Sequence, residues 1–238
     1  MKLTIANPYW DLHQQVKALQ REHDPKILQT TLTELNSLSR LSFLDRSAVK
    51  FLIKVRLFAN RLLEEIFFVR LREKYAYSAP SPKLLRLIAE YSPLIEMGAG
   101  NGYLASLLRA MGADIVALDA FPVEEGNNWF FNTSVFGFPT SRGSSWTTVI
   151  KGNAASLDEF SDRVLLLCWP PRNAMAIESL THFKGHQIIL IANKSCCANA
   201  KFYDMLDKNW HLQLEVNTDS WAMCHTEVME IYCRDADL

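Results

Sequence analysis

The residues best suited to chemistry in this 238-residue chain are two acids set around a run of glycines in "LIEMGAGNGYLASLLRAMGADIVALDAF" (94–121). Glu96 lies in one apolar run, Gly98, Gly100 and Gly102 follow it at alternate positions, and Asp119 closes the next apolar run. Glycines spaced this way after a strand let backbone N–H groups at a helix N-terminus approach a ligand closely. The dinucleotide fingerprint G-x-G-x-x-G fails at its sixth position, Tyr103, and the phosphate-binding G-K-[ST] is absent. What remains is E-x-G-x-G-x-G, whose alternative reading is ordinary close packing of a strand on a helix.

Glu96 separates the ligand classes. A carboxylate at the strand end repels a pyrophosphate and attracts a cation. S-adenosylmethionine (SAM) carries a sulfonium and an ammonium against one carboxylate, so its charge matches. Asp119, at the end of the second strand, can accept both hydroxyls of a ribose in charge-assisted bonds.

Several elements must position these groups. Apolar periodicity predicts helices over residues 9–76 in three segments, the third with Asp45 as a plausible N-cap, then a short helix after "SAPSP" capped by Ser81 with Pro82 in its first turn. From Pro93 onward, strand and helix alternate: strands "LIEM", "DIVALDA", "TTVIKG", "RVLLLCW" and "HQIILIAN" are followed by a final pair, "HLQLEV" and "TEVMEIYCR". The expected fold is α/β and Rossmann-like, a mostly parallel seven-stranded sheet with helices on both faces behind an N-terminal helical extension. The last two strands should form an antiparallel hairpin. The connection "AFPVEEGNNWFFNTSVFGFPTSRGSSW" is long and weakly periodic, which marks either a functional loop or a short helix around "NNWFF".

Composition narrows the class further. Residues 1–80 hold 13 Lys/Arg against 8 Asp/Glu, and residues 81–238 hold 12 against 18, a mildly basic arm on an acidic body. That arm could meet an anionic partner or be a solvated helical face. Five cysteines without a CxxC pair suit a reducing, cytoplasmic setting, and no metal site is expected because adjacent Cys196 and Cys197 cannot easily fill two corners of a tetrahedron. The start has no signal-peptide core, and the most apolar stretch, 51–71, is interrupted by six charges, so no membrane span is expected.

The E-x-G-x-G-x-G turn, Asp119 and the alternation of strands and helices together resemble the class I SAM-dependent methyltransferases, from about residue 80 to the end. Three segments, "YAYSAPS", "LLLCWPP" and "WAMCH", are more narrowly similar to a set of microbial and fungal methyltransferase-like proteins without an assigned substrate. The resemblance implies a helical region (1–77), a methyltransferase domain (78–238), and SAM as cofactor with S-adenosylhomocysteine (SAH) as product. It implies that Gly98, Gly100 and Gly102 pack on the methionine part and that Asp119 holds the ribose, with Glu96, Ala99, Tyr103 and Ala120 also in the cofactor site. Asn153, Ala154 and Ala155 would flank the adenine, Tyr77 would lie near the cofactor mouth, and Cys168 and Trp169, at the end of the fourth strand, would face the transferred methyl group.

"LLLCWPPRN" echoes the (D/N/S)-P-P-(Y/F/W) motif of amino-group methylases, but Trp169 replaces its polar residue and Arg172 its aromatic. Indole donates and does not accept a hydrogen bond, which weakens nucleobase methylation. Trp169 could still contact the sulfonium through its ring. The candidates for catalysis are Trp169 and, as general base, His225, for which a structural role is the alternative. The acceptor is open: a small molecule or protein is favoured over nucleic acid, and the N-terminal helices offer a surface for a protein partner. A non-catalytic SAM-binding scaffold is the competing reading.

Overall fold

The computed structural model describes residues 5–21, 67–68, 71–132, 144–221 and 226–234. Expectations for the second helical segment, the Asp45 cap and His225 fall outside the described residues.

Helix α1 (Pro8–Arg21) opens the chain. Helix α2 (Pro82–Ala89) begins as its sequence dictates: the Ser81 hydroxyl accepts from the Leu84 N–H at 3.1 Å, and Pro82 occupies the first turn, where no N–H is needed. Strand β1 (Leu94–Met97) follows, then α3 (Tyr103–Ala110), β2 (Ile115–Asp119) and β3 (Ile150–Lys151). Strand β4 (Val164–Cys168), α4 (Met175–His182), β5 (Gln187–Ala192), α5 (Ala200–Asn209), β6 (His211–Asn217) and β7 (Val228–Cys233) complete the order. Short 3₁₀ turns occupy Val123–Glu125 and Ala154–Glu159.

The seven strands lie in the order β3-β2-β1-β4-β5-β7-β6. The pairings from β3 through β5 are parallel, and β7 runs antiparallel between β5 and β6. This is the expected mostly parallel seven-stranded sheet, with the terminal hairpin inserted so that β7 sits inside. Chain order reverses between β1 and β4, and open α/β sheets bind ligands at such a switch point, beyond the carboxyl ends of the strands.

Strands buried on both faces read as continuous apolar runs, as in "VLLLC" and "QIILIA". Side chains alternate between two cores. Leu94, Ala117, Leu166, Ile189, Met229 and Ile231 face the core shared with α1, α2 and α3. Ile95, Leu118, Leu165, Leu167, Ile188 and Tyr232 face the core formed with α4 and α5. By the two-residue period, Glu96, Asp119, Cys168 and Glu227 all fall on the first of these faces.

One expectation changes and one open alternative is decided. The "TTVIKG" strand shrinks to Ile150–Lys151 because the Arg109 guanidinium takes Thr147 Oγ1 at 2.6 Å and the Thr148 carbonyl at 2.9 Å, drawing that backbone out of the ladder. "NNWFF" is a single turn and not a helix: Asn128 Oδ1 accepts from the N–H groups of Phe130 and Phe131 at 3.2 and 3.1 Å. Such local side-chain bonds compete with helical ones.

Candidate functional site

Beyond the carboxyl ends of β1, β2 and β4 lies a cavity of about 890 Å³. Its floor is the glycine turn. Gly98, Gly100 and Gly102 have φ of 78°, 58° and 73°, the left-handed region that side chains rarely adopt. At Gly100 a Cβ would also stand 2.4 Å from Phe131 Cε2, so a side chain there would collide with the cavity wall.

Asp119 braces this turn. Its Oδ2 accepts from the Gly100 N–H and its Oδ1 from the Phe121 N–H, each at 2.8 Å. Burial raises the Asp119 carboxyl above its usual range, and the two N–H bonds pull it back down. The carboxylate thus shapes the turn, while the remaining lone pairs of both oxygens stay able to accept.

Glu96 is 3% exposed, and its Oε2 has no hydrogen-bond partner. Burial, reinforced by the nearby Asp119 and opposed by Arg109, pushes its carboxyl up to about 8. This corrects the view of Glu96 as a standing negative charge: in the chain alone it is largely protonated at neutral pH. A cation would have to draw the proton away, and would gain a charge-assisted bond by doing so.

The opposite wall is aromatic. Trp169 follows β4 with φ of 51°, a left-handed conformation that costs a non-glycine residue about 1–2 kcal/mol. Its ring stacks on Tyr77 at 5.1 Å, and Tyr77 in turn packs on Phe130 at 4.6 Å. The Trp169 indole N–H donates to Glu227 Oε2. Ser78 Oγ–H donates to Glu227 Oε1 at 2.7 Å. Arg72 caps the stack, its guanidinium 5.2 Å from the Tyr77 ring centre.

Of the residues named from the sequence, Tyr77, Glu96, Gly98, Ala99, Gly100, Tyr103, Asp119, Ala120, Asn153, Ala154, Cys168 and Trp169 line this one cavity. Gly102 and Ala155 do not. Gly102 starts α3 and faces Val149 and Thr147, and Ala155 is exposed, its N–H bonded to Asn153 Oδ1 at 3.0 Å. Glu227, Arg72, Phe130 and Phe131 were missed. For Glu227 a signal existed, since it shares parity with the inward-facing Met229 and Ile231. Among the described residues, no group of three or more His, Cys, Asp or Glu side chains could hold a metal ion, and no helix is long and apolar enough to cross a membrane.

No protein-family model matches the sequence, and no curated protein matches it significantly. Some solved structures are similar to the chain. The magnesium protoporphyrin IX methyltransferase of Synechocystis PCC 6803, with bound SAM, is 14% identical over 75% of this chain and 84% of its own, at a TM-score of 0.41. TrmK of M. capricolum, in complex with SAH, is 14% identical over 65% of this chain and 69% of its own, at 0.40. The mitomycin 7-O-methyltransferase MmcR is 13% identical over 96% of this chain and 91% of its own, at 0.39.

Proposed function

We propose that the chain is a SAM-dependent methyltransferase with a small-molecule or protein acceptor. The observation that carries this reading is the buried Glu96 oxygen without a partner, lining the cavity beside a turn kept free of side chains. An unpaired buried carboxyl is costly unless a ligand completes it. SAM fits the donor set: Glu96 would face its ammonium, Gly98 and Gly100 would give it backbone contact, and Asp119 would accept from its ribose.

When bound, SAM supplies a methyl group on a positively charged sulfur. The chain's part is alignment: the glycine turn and the Tyr77–Trp169 wall would fix the gap across which an acceptor approaches in line. Cys168, at the end of β4, is buried and its thiol is held well above its usual range by burial first and by Glu227 and Glu96 next, so it stays neutral. Its role is to fill space and not to attack.

A nucleic-acid acceptor fits less well. The lining offers two cationic side chains, Arg72 and Arg172, against Glu96, Asp119, Glu178 and Glu227 among the described residues, the reverse of a phosphate-binding channel. The test is calorimetry with SAM and SAH, with NAD as a control, followed by incubation with radiolabelled SAM and fractionated cell extract. One-site binding of SAM and SAH with label entering the small-molecule or protein fraction is expected. Absence of SAM binding overturns the reading, and binding without transfer to any fraction makes the chain a scaffold.

A further inference from the structure

Glu227 stands just ahead of β7, 4% exposed, and lines the cavity. Because β7 is antiparallel to β5, with Val228 beside Ala192, Glu227 is brought to the same end of the sheet as Trp169. Ser78 holds one of its oxygens and Trp169 the other, and Thr218 bonds the carboxyl as well, so three of its roughly four lone pairs are engaged and one remains able to accept. The proposed cofactor contacts use Glu96 and Asp119 and leave Glu227 without a task.

Resting on the methyltransferase reading, we propose that the acceptor is a small planar molecule bearing an N–H or O–H, held against the Trp169–Tyr77 wall, and that Glu227 accepts its proton. The wall favours a flat apolar body: the part of Trp169 that Tyr77 leaves uncovered lines the cavity, and stacking of this kind adds to simple burial. The volume, near the top of the ~300–1,000 Å³ range for one bound small molecule, leaves room for a modest second ligand beside a nucleoside. In the reaction the acceptor's lone pair forms a bond to the methyl carbon of SAM as the carbon–sulfur bond breaks. The sulfur keeps that electron pair, giving neutral SAH, and the acceptor's proton passes to a Glu227 oxygen.

Burial holds the Glu227 carboxyl above its usual range, against the opposing bonds from Thr218, Trp169 and Ser78, so it is a better base than an exposed carboxylate. The titratable groups acting on it, the Tyr9 phenol and the Cys168 and Cys197 thiols, are all raised by burial and remain neutral. Arg72 and Arg172 are the cationic side chains that line the same cavity among the described residues.

The test uses 5-hydroxyindole, 6-hydroxyquinoline and 6-aminoquinoline against cyclohexanol and cyclohexylamine, with the intact chain. The planar compounds should bind the SAH-loaded protein and take label from SAM, and the saturated ones should not. Glu227→Gln should lower kcat by about 100-fold or more and remove the acid limb of the acceptor kcat/KM profile measured at saturating SAM, where Glu96 no longer contributes. SAH affinity should stay within about twofold, which confirms a folded cofactor site. Trp169→Phe, which removes the bond to Glu227 but keeps a ring, should shift that acid limb without abolishing it. With SAH bound, the assignment is overturned if no planar compound binds, if the saturated compounds do as well, or if Glu227→Gln leaves kcat and the acid limb intact. If SAH itself does not bind, the methyltransferase reading fails instead.

Discussion

The Asp119 carboxylate accepts the Gly100 amide at 2.8 Å, tying the end of β2 to the bare turn after β1. Asp119→Ala therefore orphans two backbone donors, Gly100 N–H and Phe121 N–H, and removes the proposed ribose acceptor. SAM binding should weaken by about 1.5–3 kcal/mol, the worth of hydrogen bonds to a charged group. Calorimetry with SAM checks this, and the melting temperature should fall as well, since part of the loss is in the turn itself.

Glu96 links binding to pH. With its carboxyl at about 8 in the chain alone, it is mostly protonated at pH 7, and a cation set against it must lower that value. SAM should then displace a proton, and its affinity should rise with pH between about 6 and about 7.5, by at most about tenfold per pH unit. Calorimetry in buffers of different ionisation enthalpy measures the proton, and Glu96→Gln should flatten the dependence. The stability of the free chain runs the other way. A carboxyl raised in the folded state favours folding fully below its ordinary value near 4.5 and loses that contribution as pH rises through about 8.

Gly100 separates strain from collision. Gly100→Ala meets both a left-handed φ of 58° and Phe131 Cε2 at 2.4 Å, whereas Gly126→Ala meets φ of 77° with nothing within 4 Å. Both should lose about 1–2 kcal/mol of stability from the backbone alone. Only Gly100→Ala should also displace Phe131 and reduce SAH binding by about tenfold or more, a difference that thermal melts and calorimetry on the pair would resolve.

The strands and the glycine turn were legible because their signals are local: apolar runs, two-residue periods and glycines at fixed offsets. The hairpin at the end was legible for the same reason. Glu227 was not. In "TEVMEIYCR" its parity with Met229 and Ile231 puts it on the inward face, but only the pairing of β7 with β5 brings it to the end of the sheet that holds the cavity. The state of Glu96 was equally hidden, since its charge depends on how deeply β2 and β4 enclose β1. "NNWFF" was ambiguous because the helix-like pattern of its rings is overruled by Asn128, whose side chain captures the amides that a helix would need. Gly102 was grouped with its two neighbours by spacing alone, yet it begins α3 and faces the Thr147–Val149 segment.

Helix α1 reaches the site through a short chain of buried contacts. Tyr9 is fully buried, accepts the Trp221 indole N–H on its hydroxyl at 2.7 Å, and stacks on Tyr75 at 5.1 Å. Two residues earlier, the Asn7 side-chain amide donates to the Pro80 carbonyl at 2.7 Å, and Asn7 Oδ1 accepts from the Tyr103 hydroxyl at 3.0 Å. Tyr103 is the residue that ends the glycine turn and lines the cavity. Tyr9→Phe leaves the Trp221 N–H buried without its acceptor, so it should cost about 1–3 kcal/mol. Asn7→Ala should cost a similar amount and, by releasing Tyr103, also weaken SAH binding, whereas Tyr9→Phe should leave it nearly unchanged. Denaturation of both variants should show one cooperative transition, because α1 shares its core with α2, α3 and the sheet. A separate early transition for α1, with SAH affinity equal in both variants, would show that the helix is only an appendage to the site.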